Sequence, residues 1–233
     1  MSFIAGTRVT RATGGSISSI TGYTVHTFST PGVSSFIPTG SGTIEVLVVG
    51  GGGAGGSPGG SGGGGGAAIY NKLMNVTSGT PYPITVGAAG GLSSCTFNNA
   101  TITAFAGGAG NALTIVGASS PNASGGGGGG NNAAGGIGAG VTGYGFPGGP
   151  GGPGSGQFGG GGGAGGAGGA GPNGIGGIGV SYSITGTSSY YGGGGGGQSA
   201  APNGGLTPTS YGTGGSNPAP VGTPGAVIIR YPS

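Results

Sequence analysis

Of 233 residues, 74 are glycine and 16 proline, and only five carry charge: Arg8, Arg11, Glu45, Lys72 and Arg230. One acidic side chain excludes paired-carboxylate catalysis. A net charge of +3 spread along the chain makes no basic patch for phosphates, so nucleic acid is not an expected partner.

Glycine, at several times its ordinary share of roughly 7 %, must itself be building material. Collagen is excluded, because glycine at every third place fails where the GGPGGPG stretch of Gly148–Gly154 runs into Ser155–Phe158. Leu, Ile, Val and Phe number 40, a low share, yet so little charge supplies no repulsion to hold the chain open. No apolar leader follows the start, and the longest aliphatic run is Val46–Val49. Neither secretion nor membrane insertion is therefore expected, and assembly belongs in a cytoplasm. The single cysteine, Cys95, excludes an internal disulfide and reads as a small buried apolar residue.

In chain order, residues 1–22, with Arg8 and Arg11, are either a candidate N-terminal docking segment or a frayed terminus. β-branched and aromatic runs between turn signals then predict strands at Tyr23–Phe28, Ile44–Val49, Ala67–Val76, Tyr82–Val86, Thr101–Phe105 and Leu113–Val116. These make residues 23–116 a β scaffold with glycine-rich loops. A last strand, Ala226–Tyr231, comes more than 100 residues later. An isolated strand is not stable, so residues 226–233 must return to the scaffold, which makes residues 117–225 an excursion from it. No helical period is sustained, and glycine disfavours helix by about 1 kcal/mol per residue. Essentially no α-helix is predicted.

Glycine supplies 8 of residues 1–50 but 39 of the 73 residues 125–197. Threefold polyproline II geometry, with 3 residues per turn, would set Ala164, Ala167 and Ala170 on one edge of a single strut and bare glycine on the other two. Its amide groups point outward and need partners. Bare glycine strands approach closely enough to bond laterally, which predicts a polyglycine II bundle held by backbone. The opposing cost is the ordering of each residue, roughly 1–2 kcal/mol and highest for glycine.

Chemical motifs are few. Gly50, Gly52 and Gly55 satisfy GxGxxG after a strand, but Gly56–Gly66 is no helix to hold a pyrophosphate and no acid follows to bind a ribose, so no cofactor is expected. Lys72 lies outside any phosphate-loop pattern. His26, Glu45 and Cys95 lack metal-ligand spacing, so neither a metal nor a catalytic site is expected and the chain reads as non-enzymatic. His26 reads as a satisfied sheet histidine, Glu45 as a cross-strand charge with Arg230 its candidate partner. Asn75, Asn99 and Asn122 head N-x-S/T triplets expected by chance in such a composition.

Aromatic residues of the glycine-rich part fall in the interruptions between runs: Tyr144, Phe146, Phe158, Tyr182, Tyr190, Tyr191 and Tyr211. At strut ends they either cap the bundle against water or form a receptor-binding surface, for which tyrosine on a rigid support is suited. If struts alternate in direction, 141–147 and 180–191 share one tip only when Pro172–Asn173 does not reverse the chain.

The blocks YTVHTFSTPG, IEVLVVGGGGAGG, GGGGGAAIYNKLMNVTSGTPYPITVGAAGG and GTPGAVIIRYP, in that order, resemble the glycine-rich domain of tail-fibre and receptor-binding proteins of tailed bacteriophages. A similar module sits beside a jelly-roll-like scaffold in the anaplastic lymphoma kinase ectodomain. The resemblance spans about residues 20–233 and implies an all-β, jelly-roll-like β-sandwich with an inserted polyglycine II bundle. It also implies a virion protein assembled in the host cytoplasm, mounted on other tail-fibre or virion proteins through the N-terminal segment. Its expected receptor is a bacterial surface glycan or outer-membrane protein, with a homo-oligomer left open. The alternative is a purely structural virion or filament protein. No match to the attachment domain of T-even-type adhesins is present.

Overall fold

The computed structural model describes residues 9, 11–57, 60–111, 116–197, 211–216 and 221–233. The strand expected at Leu113–Val116 lies outside these residues except for Val116, which is not in a strand, and most of residues 1–10 also lie outside them. In chain order the strands are β1 (Ala12–Thr13), β2 (Ser16–Ile20), β3 (Tyr23–Phe28), β4 (Gly32–Pro38), β5 (Gly42–Val49), β6 (Ala68–Val76), β7 (Tyr82–Val86), β8 (Ser93–Phe97), β9 (Ala100–Ala104), β10 (Val180–Tyr182), β11 (Ser189–Tyr191) and β12 (Ala226–Pro232). No α-helix occurs among the described residues.

Two five-stranded antiparallel sheets form a sandwich, one ordered β2-β3-β12-β5-β6 and the other β1-β4-β7-β8-β9. The terminal strand β12 returns to the scaffold, as its isolation requires, and takes the central place between β3 and β5. Residues 12–20, placed by sequence in the docking segment, supply β1 and β2 at the edges of the two sheets. Strands β4 and β8 are additions to the sequence reading. Their inward residues are few or polar: only Phe36 and Pro38 of β4 are buried, and β8 turns Ser93, Cys95 and Phe97 inward. Ser93 is tolerated there because its Oγ accepts the Gly87 amide at 3.0 Å.

Side chains alternate across each strand, so Ile44, Val46 and Val48 of β5 and Val227, Ile229 and Tyr231 of β12 enter the core between the sheets, against Phe36, Ile84, Cys95 and Phe97. The opposite set, Leu47, Val49 and Ile228, is equally buried against Ile184 and Tyr191 of the β10–β11 hairpin region. Strands covered on both faces need continuous apolar runs, which is why VLVV and AVII lack alternation.

His26 lies fully buried in the sandwich, its ring edge-on to Phe36 at 5.3 Å. Nδ1–H donates to Gly14 O at 2.7 Å, so Nε2 accepts the Tyr231 hydroxyl at 3.0 Å. Burial holds its pKa below the ordinary 6.5, against a smaller upward pull from the Gly14 bond. The unfolded chain therefore binds a proton near pH 6.5 that the fold resists. Stability is full above that pH and falls as pH drops towards the folded pKa, by at most about 1.4 kcal/mol per pH unit. We expect the melting temperature to fall on acidification from pH 7.5 to 5.5 and the slope to vanish in His26→Gln. A wild-type profile that stays flat contradicts the assignment.

Beyond the sandwich, strands β5, β6, β9 and β12 continue directly into glycine struts at 50–53, 62–67, 105–108 and 222–225. Facing sheets stand about 10 Å apart because side chains fill the gap; where side chains cease, the layers close onto one another. Thus Ala67 N donates to Phe105 O at 2.9 Å and Gly107 N to Gly51 O at 3.0 Å, bonding the continuations of opposite sheets.

Hydrogen-bond partners in the struts repeat every three residues. Gly62 and Gly65 donate to Gly159 and Gly162; Gly63 and Gly66 to Gly215 and Gly212; Gly64 and Ala67 to Gly108 and Phe105. The carbonyls of the same run accept from 127 and 124, from 53 and 50, and from 195. One strut is thus enclosed by six, three receiving and three giving. The run 159–164 behaves alike, donating in turn to 128 and 125, to 169 and 166, and to 195 and 192. This is the threefold polyglycine II arrangement. Glycine is required by proximity: a Cβ at Gly62, Gly64 or Gly161 would stand under 3.0 Å from a neighbouring carbonyl oxygen.

One expectation is corrected. Gly163 N donates to Gly166 O at 2.8 Å and Gly160 N to Gly169 O at 2.9 Å, so the chain doubles back around 164–166 and the AGG repeat is two struts, not one. Ala164 is buried, whereas Ala167 and Ala170, three apart on the second strut, face outward.

Candidate functional site

The lattice has two ends. Struts 50–53 lead away from the sheets and 62–67 lead back, and each neighbour's direction follows from the order of its partners. By that reckoning three reversals, at 152–157, 164–166 and 170–174, separate 141–147 from 180–191; Pro172–Asn173 does reverse the chain, and the turn at 164–166 restores the parity. Both segments consequently share an end, and it is the end at the sheets.

Tyr144, Phe146, Tyr182, Tyr190, Tyr191 and Tyr211 lie there. Ala68 N donates to Gly143 O at 2.6 Å, anchoring the first segment on β6. Tyr182 donates to Ala68 O at 3.3 Å and packs on Tyr70 at 5.1 Å and Tyr191 at 6.4 Å. Tyr191 is 1 % exposed within the outer cluster, with Tyr182 and Tyr211 packed beside it. Tyr190 and Phe146 are half-buried, and Tyr144 stands 43 % exposed. Phe158, 5 % exposed, plugs the opposite end. Six of the seven thus share the sheet end and Phe158 lies at the other; Tyr191 and Phe158 are buried and offer no surface. Capping of the bundle describes most of them.

At the far end three reversals meet that composition did not single out. Asn131 N donates to Gly154 O at 3.2 Å, Asn132 N to Gly152 O at 2.8 Å and Gly171 N to Pro150 O at 2.9 Å. Their exposed residues are Asn131, Asn132, Pro150, Pro153, Ser155, Pro172 and Asn173. Asn131 and Asn132 have φ of 57° and 61°, the left-handed region that asparagine tolerates. An Asn-Asn pair between glycine runs was the available signal for this turn.

The chain's one carboxylate is engaged. Glu45 pairs with Arg230 directly across β5 and β12, at 2.6 Å, and also accepts the Tyr70 hydroxyl. Burial, then the bond to Glu45, raises the Tyr70 pKa to about 12. Arg230 further donates to Ser183 O at 3.1 Å and lies 4.5 Å over the Tyr23 ring, tying the β10–β11 hairpin to the sheet. Cys95 is buried, which raises its thiol to about 12 and leaves negligible thiolate at neutral pH. Among the described residues no three His, Cys, Asp or Glu side chains gather where they could hold a metal.

A β-sandwich whose strands run on into a polyglycine lattice defines a class of all-β proteins built around glycine. The family model of the glycine-rich domain matches residues 28–232, and the chain belongs to that family. No curated protein matches it.

Proposed function

We propose that the chain is a non-enzymatic virion protein of a tailed bacteriophage, a tail-fibre or tail-tip adhesin that binds a bacterial surface glycan or outer-membrane protein. The observation that carries the reading is the cluster of three polar reversals at the far end of a rigid lattice. Exposed loops on a fixed scaffold commonly carry recognition, and struts bonded on all sides hold their loops with little ordering left to lose on binding. The phage resemblance of the ordered blocks supplies the context, including assembly in the host cytoplasm and mounting through residues 1–22 on other virion proteins.

A second reading, a structural virion protein without a receptor, is favoured by the outward Ile137, Ile175 and Ile178, 67 %, 43 % and 39 % exposed on outer struts. Fluorescently labelled full-length protein applied to a bacterial panel separates the two. Saturable binding that weakens at least about ten-fold in Ser155→Arg and Asn173→Arg, but persists in Tyr144→Ala, supports the adhesin. Ordered multimers that bind no strain overturn it in favour of the structural role.

A further inference from the structure

Two concavities open on the sandwich. One, of about 300 Å³, is lined by Gly15, Ser16 and the consecutive residues Thr27–Ser34, so a single hairpin turn makes most of it. The other, of about 500 Å³, is framed by separate elements: Ile20, Thr21 and Tyr23 from the β2–β3 hairpin, Ser183, Thr185, Gly186 and Thr187 from the β10–β11 turn, and Arg230 from β12. Its volume lies within the roughly 300–1,000 Å³ of small-molecule sites.

The walls are fixed in place. Gly186, at φ +94°, brings the turn so close to Ile20 that a Cβ there would stand 3.2 Å from the isoleucine side chain. Arg230 holds the turn through Ser183 O and lies over the Tyr23 ring, so ring and turn are positioned by one guanidinium. Thr21 on one side of the groove and Ser183 and Thr187 on the other are all exposed. Among the described residues that line the groove, Arg230 is the only charged side chain, and Glu45 at 2.6 Å balances it. The groove thus offers hydroxyls, an aromatic ring and an aliphatic side chain, with no uncompensated charge.

We infer that this groove is a binding site for a neutral saccharide. Hydroxyls on opposed walls match the donor and acceptor pattern of a hexose, while Tyr23 and Ile20 match its apolar C–H face. An anionic sugar would meet a guanidinium already paired and gain nothing from it. The site lies on the scaffold, apart from the far loops, and does not depend on the adhesin reading.

The test is amide NMR of the full chain titrated with methyl glycosides of neutral hexoses, and with galacturonate as the charged comparison. Saturable shifts confined to the amides of Thr21, Tyr23, Ser183 and Thr185–Thr187, millimolar in affinity and insensitive to salt, are expected. Thr187→Trp should fill the groove and weaken binding at least about ten-fold with unchanged melting; if it fails to fold, Thr21→Trp on the facing wall serves. Dextran shifting the same amides assigns the ligand to a polysaccharide chain, and dextran silence beside hexoside binding assigns a free sugar; both uphold the site. No saturable shift with any neutral hexoside, shifts that survive the folded tryptophan variant, or salt-sensitive binding of galacturonate alone overturns it. Loss of cell binding in the Ser155 and Asn173 variants leaves these shifts intact, so the two proposals fail separately.

Discussion

Gly161→Ala is expected to destabilise the protein by about 3–5 kcal/mol or to prevent folding. The added methyl would stand under 3.0 Å from the Gly63 carbonyl, and neither strut can yield, since each is bonded to neighbours on every side. Ordinary overpacking costs about 1–3 kcal/mol because side chains can shift. Here backbone must move, and every displaced amide adds about 1–3 kcal/mol for a buried group left unpaired. Gly166→Ala is the control: its methyl would meet Ile178 Cγ1 at 3.4 Å, an ordinary contact, so a small gain of about 0.4–1 kcal/mol from the less flexible unfolded chain is expected. Denaturant melts followed by tyrosine fluorescence measure both. Equal stability of the two variants would refute the lattice.

Deleting residues 226–233 should leave no folded sandwich although only eight residues are lost. β12 is bonded on both sides, to β3 and β5, and Val227, Ile228, Ile229 and Tyr231 are at most 1 % exposed. Each such side chain is worth about 1.5–3 kcal/mol, and together they rival the whole net stability of a domain, about 5–15 kcal/mol. The loss also opens β3 and β5 as unpaired edges, templates for aggregation. Supplied in trans, a peptide of residues 226–233 should restore the near-ultraviolet circular dichroism, whereas the same peptide carrying Ile229→Asp should not. A truncated chain that melts like the full one defeats this account.

How far the sequence exposes this fold depends on contrast between neighbouring residues. β3 and β7 were legible to the residue because YTVHTF and YPITV are β-branched and aromatic between turns. Arg230, one of four cations the only acid could have met, was the candidate partner of Glu45 because both fall in strands, and the pair forms. β4 and β8 were not, since serine, cysteine and glycine occupy places where strands ordinarily show aliphatics. Asn98 and Asn99, with φ of 42° and 69°, mark the tight β8–β9 turn and were the usable clue.

The existence of the lattice followed from glycine, but its path did not. A turn is normally betrayed by glycine among other residues, and in AGGAGG nothing stands out at 165–166. Missing one reversal changes the parity of every later strut, which is why the aromatic segments share an end even though the chain reverses at Pro172–Asn173, the turn expected to split them. The candidate surface was therefore sought at the rings, whereas the exposed far loops are built of asparagine, proline and serine.

The lattice buries amides in place of hydrocarbon, and the two hydrate with opposite thermal signatures. Apolar surface exposed on unfolding raises the heat capacity by about 0.45 cal/mol/K per Å², while polar surface lowers it by about 0.26. The glycine half should offset part of the increment contributed by the sandwich, bringing the whole chain well under the usual 12–15 cal/mol/K per residue. A shallow curve of free energy against temperature follows, with cohesion that fades little in the cold.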